Sequence, residues 1–317
     1  NRQGYVACHG GLKKYEYDGK HFVAAFFGLS GSGKSTLTHA KHKGKYQITV
    51  LHDDALVINL EDLSSIALEP SYFDKTSDYP LTSEDNKYLI TIQNCGATVD
   101  ENLKVVPVME DIRNGNGRAI KSKLWSPNRV DKIEEPVNAI FWIMKDPVLP
   151  PVVKIEDPIL ASTMGATLAT KRTSAEKLLP GVDPEALVFE PYANPFRTYP
   201  LSEDYNKFKA LFEKGVECYI VNTGFYLNKK VPKELTLEII EQIVEKKANF
   251  VDWFGGLKTM QIPEFEVRTS DYEYRELVKL SLTKRVEFIK NKEIENQGYD
   301  RLPEECISSL NNLISLL

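Results

Sequence analysis

The chain has 317 residues, of which 42% are hydrophobic, 27% charged and 10% aromatic, the balance of a globular protein with a large core and not of a disordered or collagen-like chain. Its 40 Lys and Arg are interspersed with 45 Asp and Glu, for a net charge of −5, so no nucleic-acid partner is expected. No apolar stretch approaches the roughly 18 residues that cross a bilayer and no leader-like segment opens the sequence, so no membrane partner and a cytoplasmic location are expected.

Single cores stop growing at roughly 250–300 residues, and the chain divides on that basis into a lobe over residues 1–255 and a helical C-terminal extension over 256–317. The pair Lys13-Lys14 and the run Lys41-His42-Lys43 read as solvated faces. Cys8, Cys95, Cys218 and Cys306 form no CxxC pair and read as buried small hydrophobes. The first residue is Asn1, not Met, as in a processed or partial product.

From Gly4 to Leu29 the pattern predicts short strands: Tyr5–Cys8, a hairpin turn at Asp18-Gly19, and a buried strand over Phe22–Phe27. Strands follow over Gln47–Leu51, Ala55–Leu60, Val105–Val108 and Ala139–Met144, with an Asn114–Gly117 turn between the last two. After the proline-laden stretch Pro147–Pro158, helical periodicity covers Ile159–Thr170, Asp204–Lys214, Leu235–Glu245 and Tyr272–Asn291. One strand, Glu217–Val221, is embedded among these helices, and Pro263–Leu317 reads as a helical tail packed on the core. The expected fold is therefore mixed α/β (α+β), with a β-rich first half and a helical second half.

Gly28-Leu29-Ser30-Gly31-Ser32-Gly33-Lys34-Ser35 satisfies G-x-x-x-x-G-K-[ST] without a mismatch, and Thr36 follows. It lies after an apolar strand and before a helix, the context a phosphate-binding loop requires. There the glycines let backbone N–H groups close on the β- and γ-phosphates, Lys34 neutralises charge, and the Ser35 hydroxyl ligates Mg²⁺. Asp53-Asp54 follows the next apolar strand, where such a fold places a carboxylate to hold or orient the metal. All five histidines lie within the first 52 residues, and most read as surface residues. His9 is set apart by its place at a strand end beside Gly10-Gly11; it reads either as structural or as a Mn²⁺ ligand.

Cys8-His9-Gly10, then Phe26–Leu37, then His52-Asp53-Asp54 together resemble the ATP-dependent phosphoenolpyruvate carboxykinases. The Ala67–Thr76 stretch resembles that family's Glu-Gly-Gly-x-x-x-Lys segment. Leu149–Val152 resembles its Leu-Pro-Pro-Val, Tyr219–Gly224 its Tyr-Leu-Val-Asn-Thr-Gly, and Gln261–Pro263 its Ala-Ile-Pro. The likeness runs from about residue 5 to residue 290. It implies the C-terminal, mononucleotide-binding lobe of that family, with ATP on the P-loop and both Mg²⁺ and Mn²⁺ nearby. Lys34 would contact the β- and γ-phosphates, Ser35 would hold Mg²⁺, Asp53 would support its waters, and His9 and Asp54 would be two Mn²⁺ ligands. Lys75 and Glu84 match nucleotide-contacting positions, Thr236 matches the family's adenine-side threonine, Lys230 stands in place of an arginine there, and Arg118, with Arg129 as the alternative, matches the arginine that reaches the γ-phosphate.

The sequence also departs from the family. Its N-terminal lobe, which supplies a carboxylate-gripping arginine and a Mn²⁺-binding lysine, has no counterpart here, so a second chain or a missing segment is expected to supply it. Pro70-Ser71 stands where the family has Gly-Gly, His52 replaces a glycine before the acid pair, and Ala169–Glu176 keeps only a Thr and a Glu of the lid motif. Three readings stay open: a carboxykinase acting on ATP and a small carboxylate, oxaloacetate; an ATP-dependent kinase with another acceptor; and a non-catalytic ATP-binding subunit.

Overall fold

A computed structural model describes residues 3–29, 31–75, 92–93, 96–108, 117–124, 126–171 and 187–317. Strands β1 (Tyr5–His9), β2 (Gly11–Tyr17) and β3 (Lys20–Phe27) lead into a short helix, α1 (Lys34–His39). Next come β4 (Gln47–His52), β5 (Ala55–Asn59), β6 (Ser65–Ala67) and β7 (Ser71–Lys75). The middle of the chain carries β8 (Ile92–Gln93), β9 (Ala97–Val99), β10 (Val105–Pro107), β11 (Arg118–Ser122), β12 (Lys132–Ile133), β13 (Ala139–Met144) and β14 (Val152–Ile155). Then follow α2 (Pro158–Ala166), β15 (Ala169–Lys171), β16 (Leu187–Phe189), α3 (Leu201–Glu213), β17 (Glu217–Asn222), β18 (Phe225–Tyr226) and β19 (Lys229–Lys230). The chain closes with α4 (Lys233–Val244), β20 (Phe250–Asp252), β21 (Lys258–Met260), α5 (Tyr272–Ile294) and α6 (Glu304–Ser315).

The central sheet has the order β20-β21-β14-β17-β13-β3-β2-β4. Its three middle strands, β17, β13 and β3, run parallel to one another, and the flanking pairs are antiparallel. Every residue of β13 is buried, as a strand covered on both faces requires. Successive side chains point to opposite faces. Val23, Ala25, Phe27, Ile140 and Trp142 therefore face Leu160, Phe208, Leu282 and Leu310 of α2, α3, α5 and α6. Ala24, Phe26, Phe141 and Ile143 face Leu37 of α1 and Ile239, Ile240 and Ile243 of α4. A four-stranded sheet, β1-β5-β6-β12, and a three-stranded one, β7-β11-β8, accompany this layer.

The Asp18-Gly19 hairpin forms as its residues predict: both adopt positive φ, 47° and 69°, the twist that joins two adjacent antiparallel strands. The predicted helix over 159–170 stops at Ala166, because Ala169–Lys171 pairs with Leu187–Phe189 instead, a partnership no local periodicity encodes. The second half also holds β14, β20 and β21, so it is less helical than its pattern suggests. β21 pairs with β14 and β20 inside the central sheet, so a boundary between 255 and 256 cuts that sheet. The helical extension proper begins at α5, whose first turn is capped by Asp271 accepting from the Tyr274 N–H at 3.2 Å. Among the described residues, no helix is long and apolar enough to cross a membrane.

Two surface expectations fail. Lys13 is fully buried, because a strand sends one of two adjacent side chains inward; Lys14 takes the other face and pairs with Glu135 at 2.8 Å. His42 and His52 are buried as well. Cys8, Cys218 and Cys306 are buried as read, while Cys95 and the Asn114–Asn116 part of the predicted turn lie outside the described residues.

Candidate active site

β3, β13, β17 and β4 share one direction, so their carboxyl ends reach the same edge of the sheet, where open α/β folds bind ligands. β3 delivers Gly28 and the loop that follows, β13 delivers Lys145, β17 delivers Thr223, and β4 delivers Asp53-Asp54. His9 ends β1, and its neighbour Gly10 donates to the Asp54 carbonyl at 2.8 Å.

The loop is held by its carbonyl groups. Lys145 Nζ donates to Gly31 O at 2.7 Å, and Thr223 Oγ1 donates to Ser32 O at 2.6 Å. In a trans peptide the N–H points opposite to the C=O, so the Thr223 bond turns the Gly33 N–H away from β17. Backbone N–H groups from Gly33 to Thr36 make no hydrogen bond among the described residues. A side chain at position 28 would put Cβ 2.3 Å from Ser32 Oγ and 2.9 Å from Ile143 Cβ, so only glycine admits this loop path.

Gly11 has the same function beneath α1: a Cβ there would lie 1.9 Å from Thr38 Oγ1 and 3.0 Å from Asp53 Oδ1. Gly11→Ala is expected to push α1 off β2 and to cost about 1–3 kcal/mol of stability, the range for overpacking a tight core. Thermal unfolding of the variant measures this, and an unchanged midpoint would refute the close approach.

Lys34 Nζ donates to the Asp53 carbonyl at 2.7 Å. The Asp53 side chain is buried, yet its pKa is held down at about 2: burial works against the charge, and His39, the Lys34 ammonium and the Ser35 hydroxyl outweigh it. Asp53 Oδ1 is buried with no hydrogen-bond partner. A buried anionic oxygen left open beside a serine hydroxyl has the chemistry of a hard-cation ligand.

His9 Nδ1 bonds the Ala193 carbonyl, and Nε2 lies 3.0 Å from Asp54 Oδ1. Since Nδ1 must donate to a carbonyl, a neutral ring would aim its Nε2 lone pair at a carboxylate. The contact is attractive only with a second proton, or with a cation shared by the two groups, so His9 and Asp54 fit a metal as a pair. Asp54 is shifted below the usual carboxylate range, first by its bond with His9. Among the described residues no group of three or more His, Cys, Asp or Glu side chains could hold a metal.

His52, a departure from the family pattern, shapes the acidic turn. Its Nδ1 accepts from the N–H groups of both Asp54 and Ala55 at 2.9 Å. Burial, aided by the Arg129 charge, lowers its pKa to about 4, so the ring stays neutral and free to accept.

A cavity of about 550 Å³ opens beside the loop, lined by Gly31, Ser32, Gly33, Thr36, Leu37, Lys145, Thr223 and the 230–234 segment with Thr236. Lys230 and Thr236 thus join the loop, Thr236 buried with its hydroxyl on the Pro232 carbonyl at 3.3 Å. Leu29 packs against the core beneath the loop. Arg118 sits on β11 opposite Lys75 of β7, with its guanidinium on the Gly117 carbonyl. Their sheet approaches the acid pair through Tyr72, whose ring stacks on His39 and lies 4.9 Å from His52. Arg129, the alternative, is buried and committed to Asp131 and the Glu69 carbonyl. Ser30, Glu84 and the Lys75 side chain lie outside the described residues.

The sequence reading did not single out Lys145, Thr223, Lys233 or Phe196 as site residues. Thr223 falls in a segment quoted for its resemblance, while the exposed Phe196 ring, edge-on to His9 with centroids 5.3 Å apart, has no local signal at all.

Comparison with known proteins identifies the family of the chain. The chain is 27% identical over 239 residues to the phosphoenolpyruvate carboxykinase (ATP) of Aeropyrum pernix, an alignment covering 72% of this chain and 46% of that protein. The chain thus spans about half the length of the curated relative it matches. The family model for phosphoenolpyruvate carboxykinase, in its ATP-dependent form, matches residues 2–269, and with most of its length matched the chain belongs to the ATP-dependent phosphoenolpyruvate carboxykinase family.

Proposed function

We propose that this chain is the nucleotide- and metal-binding lobe of an ATP-dependent phosphoenolpyruvate carboxykinase, acting on oxaloacetate and ATP to give phosphoenolpyruvate, CO₂ and ADP. The observation that carries the reading is the gathering of the Gly28–Ser35 loop, the Asp53-Asp54 pair and His9 at one edge of the central sheet. Oxaloacetate would lose CO₂ to leave an enolate, whose oxygen then attacks the γ-phosphorus as the bond to ADP breaks. The open N–H groups from Gly33 to Thr36 would cradle the β- and γ-phosphates, and Lys34 would turn from the Asp53 carbonyl to the transferring group. Asp53 and Ser35 would hold Mg²⁺, and His9 with Asp54 would supply two ligands to Mn²⁺. When bound, the two cations would offset the negative charge on the enolate oxygen and the phosphoryl group. Arg118 would reach the γ-phosphate from β11.

The test is phosphoenolpyruvate formation from oxaloacetate and ATP with both metals present and Lys34→Ala as the blank. Product formation absent from the blank establishes the reaction. ATP hydrolysed or transferred without oxaloacetate would instead support a kinase, and ATP bound without turnover would support a subunit that needs a second polypeptide.

Asp54→Asn should separate the metals. It is expected to weaken Mn²⁺ at least tenfold by electron paramagnetic resonance titration while leaving Mg²⁺–ATP binding within about twofold, since loss of one ligand typically costs more than loss of an outer partner, worth 10–100-fold. Unchanged Mn²⁺ affinity would remove Asp54 from the ligand set.

A further inference from the structure

Lys145 and Lys230 line the same cavity beside the loop. Neither has a carboxylate within ion-pair distance among the described residues. Burial and the nearby Lys230 charge both push the Lys145 ammonium toward its neutral form. Two lysines that face one cavity with no carboxylate partner among the described residues give it a positive lining suited to an anion. Lys145 already touches the phosphate loop, through Gly31 O, so a short movement of its flexible stem would carry Nζ from that carbonyl to a ligand oxygen.

The residue behind it is anchored with unusual care. Asp146 and Arg285 are each 1% exposed and joined at 3.0 Å, and Ser281 Oγ donates to the same carboxylate oxygen at 2.6 Å. The other Arg285 amino group bonds the Thr167 carbonyl. Asn222 Nδ2 donates to the Asp146 carbonyl at 3.1 Å, and the next residue, Thr223, holds Ser32. Helix α5, which lies beyond the residues matched by the family model, is therefore tied to Asp146 after β13 and, through Asp146, to Asn222 at the end of β17.

We propose that Lys145 is a second phosphate-binding lysine of the nucleotide cavity, kept in place by Arg285 of α5 as a positioning residue acting through Asp146. The proposal rests on the nucleotide reading given above and adds a cation that lies outside the loop motif. Its ligand is the polyphosphate of a nucleoside triphosphate, to which Lys145 and Lys230 add positive charge beside that of Lys34.

Titration calorimetry of the full chain with Mg²⁺–ATP and with AMP tests this. Lys145→Met, which keeps the stem and removes the charge, should weaken ATP at least tenfold, change AMP less than twofold, and flatten the salt dependence of ATP binding. Equal losses for ATP and AMP, or no loss for either, would overturn the assignment, because a lysine that only braces Gly31 has no reason to distinguish the two. Arg285→Met combined with Asp146→Leu removes both buried charges together. It should weaken ATP three- to tenfold with AMP unchanged, whereas unaltered ATP affinity would limit the pair to fastening α5. If Lys34→Ala also left ATP binding intact, the failure would lie with the nucleotide site itself and not with Lys145.

Discussion

Lys34→Ala is expected to lower phosphoenolpyruvate formation on the order of 10³-fold, the cost of removing one preorganised donor from a developing charge, while the fold survives. In the structure Lys34 is half-exposed and, among the described residues, its ammonium makes one hydrogen bond, to the Asp53 carbonyl at 2.7 Å. Such a bond contributes about 1 kcal/mol net, which moves the melting point of a chain this size by only about 1–2 °C. A large kinetic loss with a small thermal one is what separates a catalytic lysine from a structural one. Parallel measurement of initial rates and melting points decides it. Full turnover in the variant would take the loop out of the chemistry, and a collapse in melting point would mean that Lys34 chiefly compensates the buried Asp53 charge.

The parts of this site that the sequence reveals are those whose chemistry is local. A strand, a glycine loop and a helix start within sixteen residues of Phe22, and the acid pair ends the next strand, so the Gly28–Ser35 loop and Asp53-Asp54 are legible from spacing alone. His9 is legible for the same reason, standing between a strand and two glycines. Lys145 and Thr223 are not, because they reach the loop from β13 and β17, more than a hundred residues away, and a lysine at the end of an apolar strand looks like any solvated lysine. Lys13 is misread for a different reason. Composition counts charges, but strand geometry decides where they go, and only the pairing of β2 between β3 and β4 fixes which of two adjacent lysines is enclosed. Helix α2 fails at its end because β15 finds its partner across a long connection.

The enclosed Lys13 explains why the protein should be acid-labile well above the range where carboxylates protonate. Its Nζ, whose pKa burial lowers well below the usual lysine range, faces three acceptors: Leu37 O at 2.6 Å, Ala40 O at 3.1 Å and His42 Nε2 at 3.3 Å. The first two are carbonyl groups at the end of α1, so Lys13 fastens the helix that carries Lys34 and Ser35. His42 must remain neutral to accept at Nε2 while Nδ1 donates to Glu241 at 2.9 Å. Burial first, then the Lys13 charge, lowers the His42 pKa to about 4, against about 6.5 for an unfolded histidine. The unfolded chain therefore takes up the proton first as pH falls. Stability is complete above about pH 6.5 and declines by up to roughly 1.4 kcal/mol per unit down to about pH 4, a loss of at most about 3 kcal/mol from this group. His52, also lowered to about 4, adds a second decline of the same sign. His42→Gln can still accept from Lys13 and donate to Glu241 but does not titrate, so its denaturant-unfolding curve should fall about half as steeply between pH 6.5 and 4. An identical slope in parent and variant would show that His42 carries its proton in the folded state, and that Lys13 holds α1 through the two carbonyl groups alone.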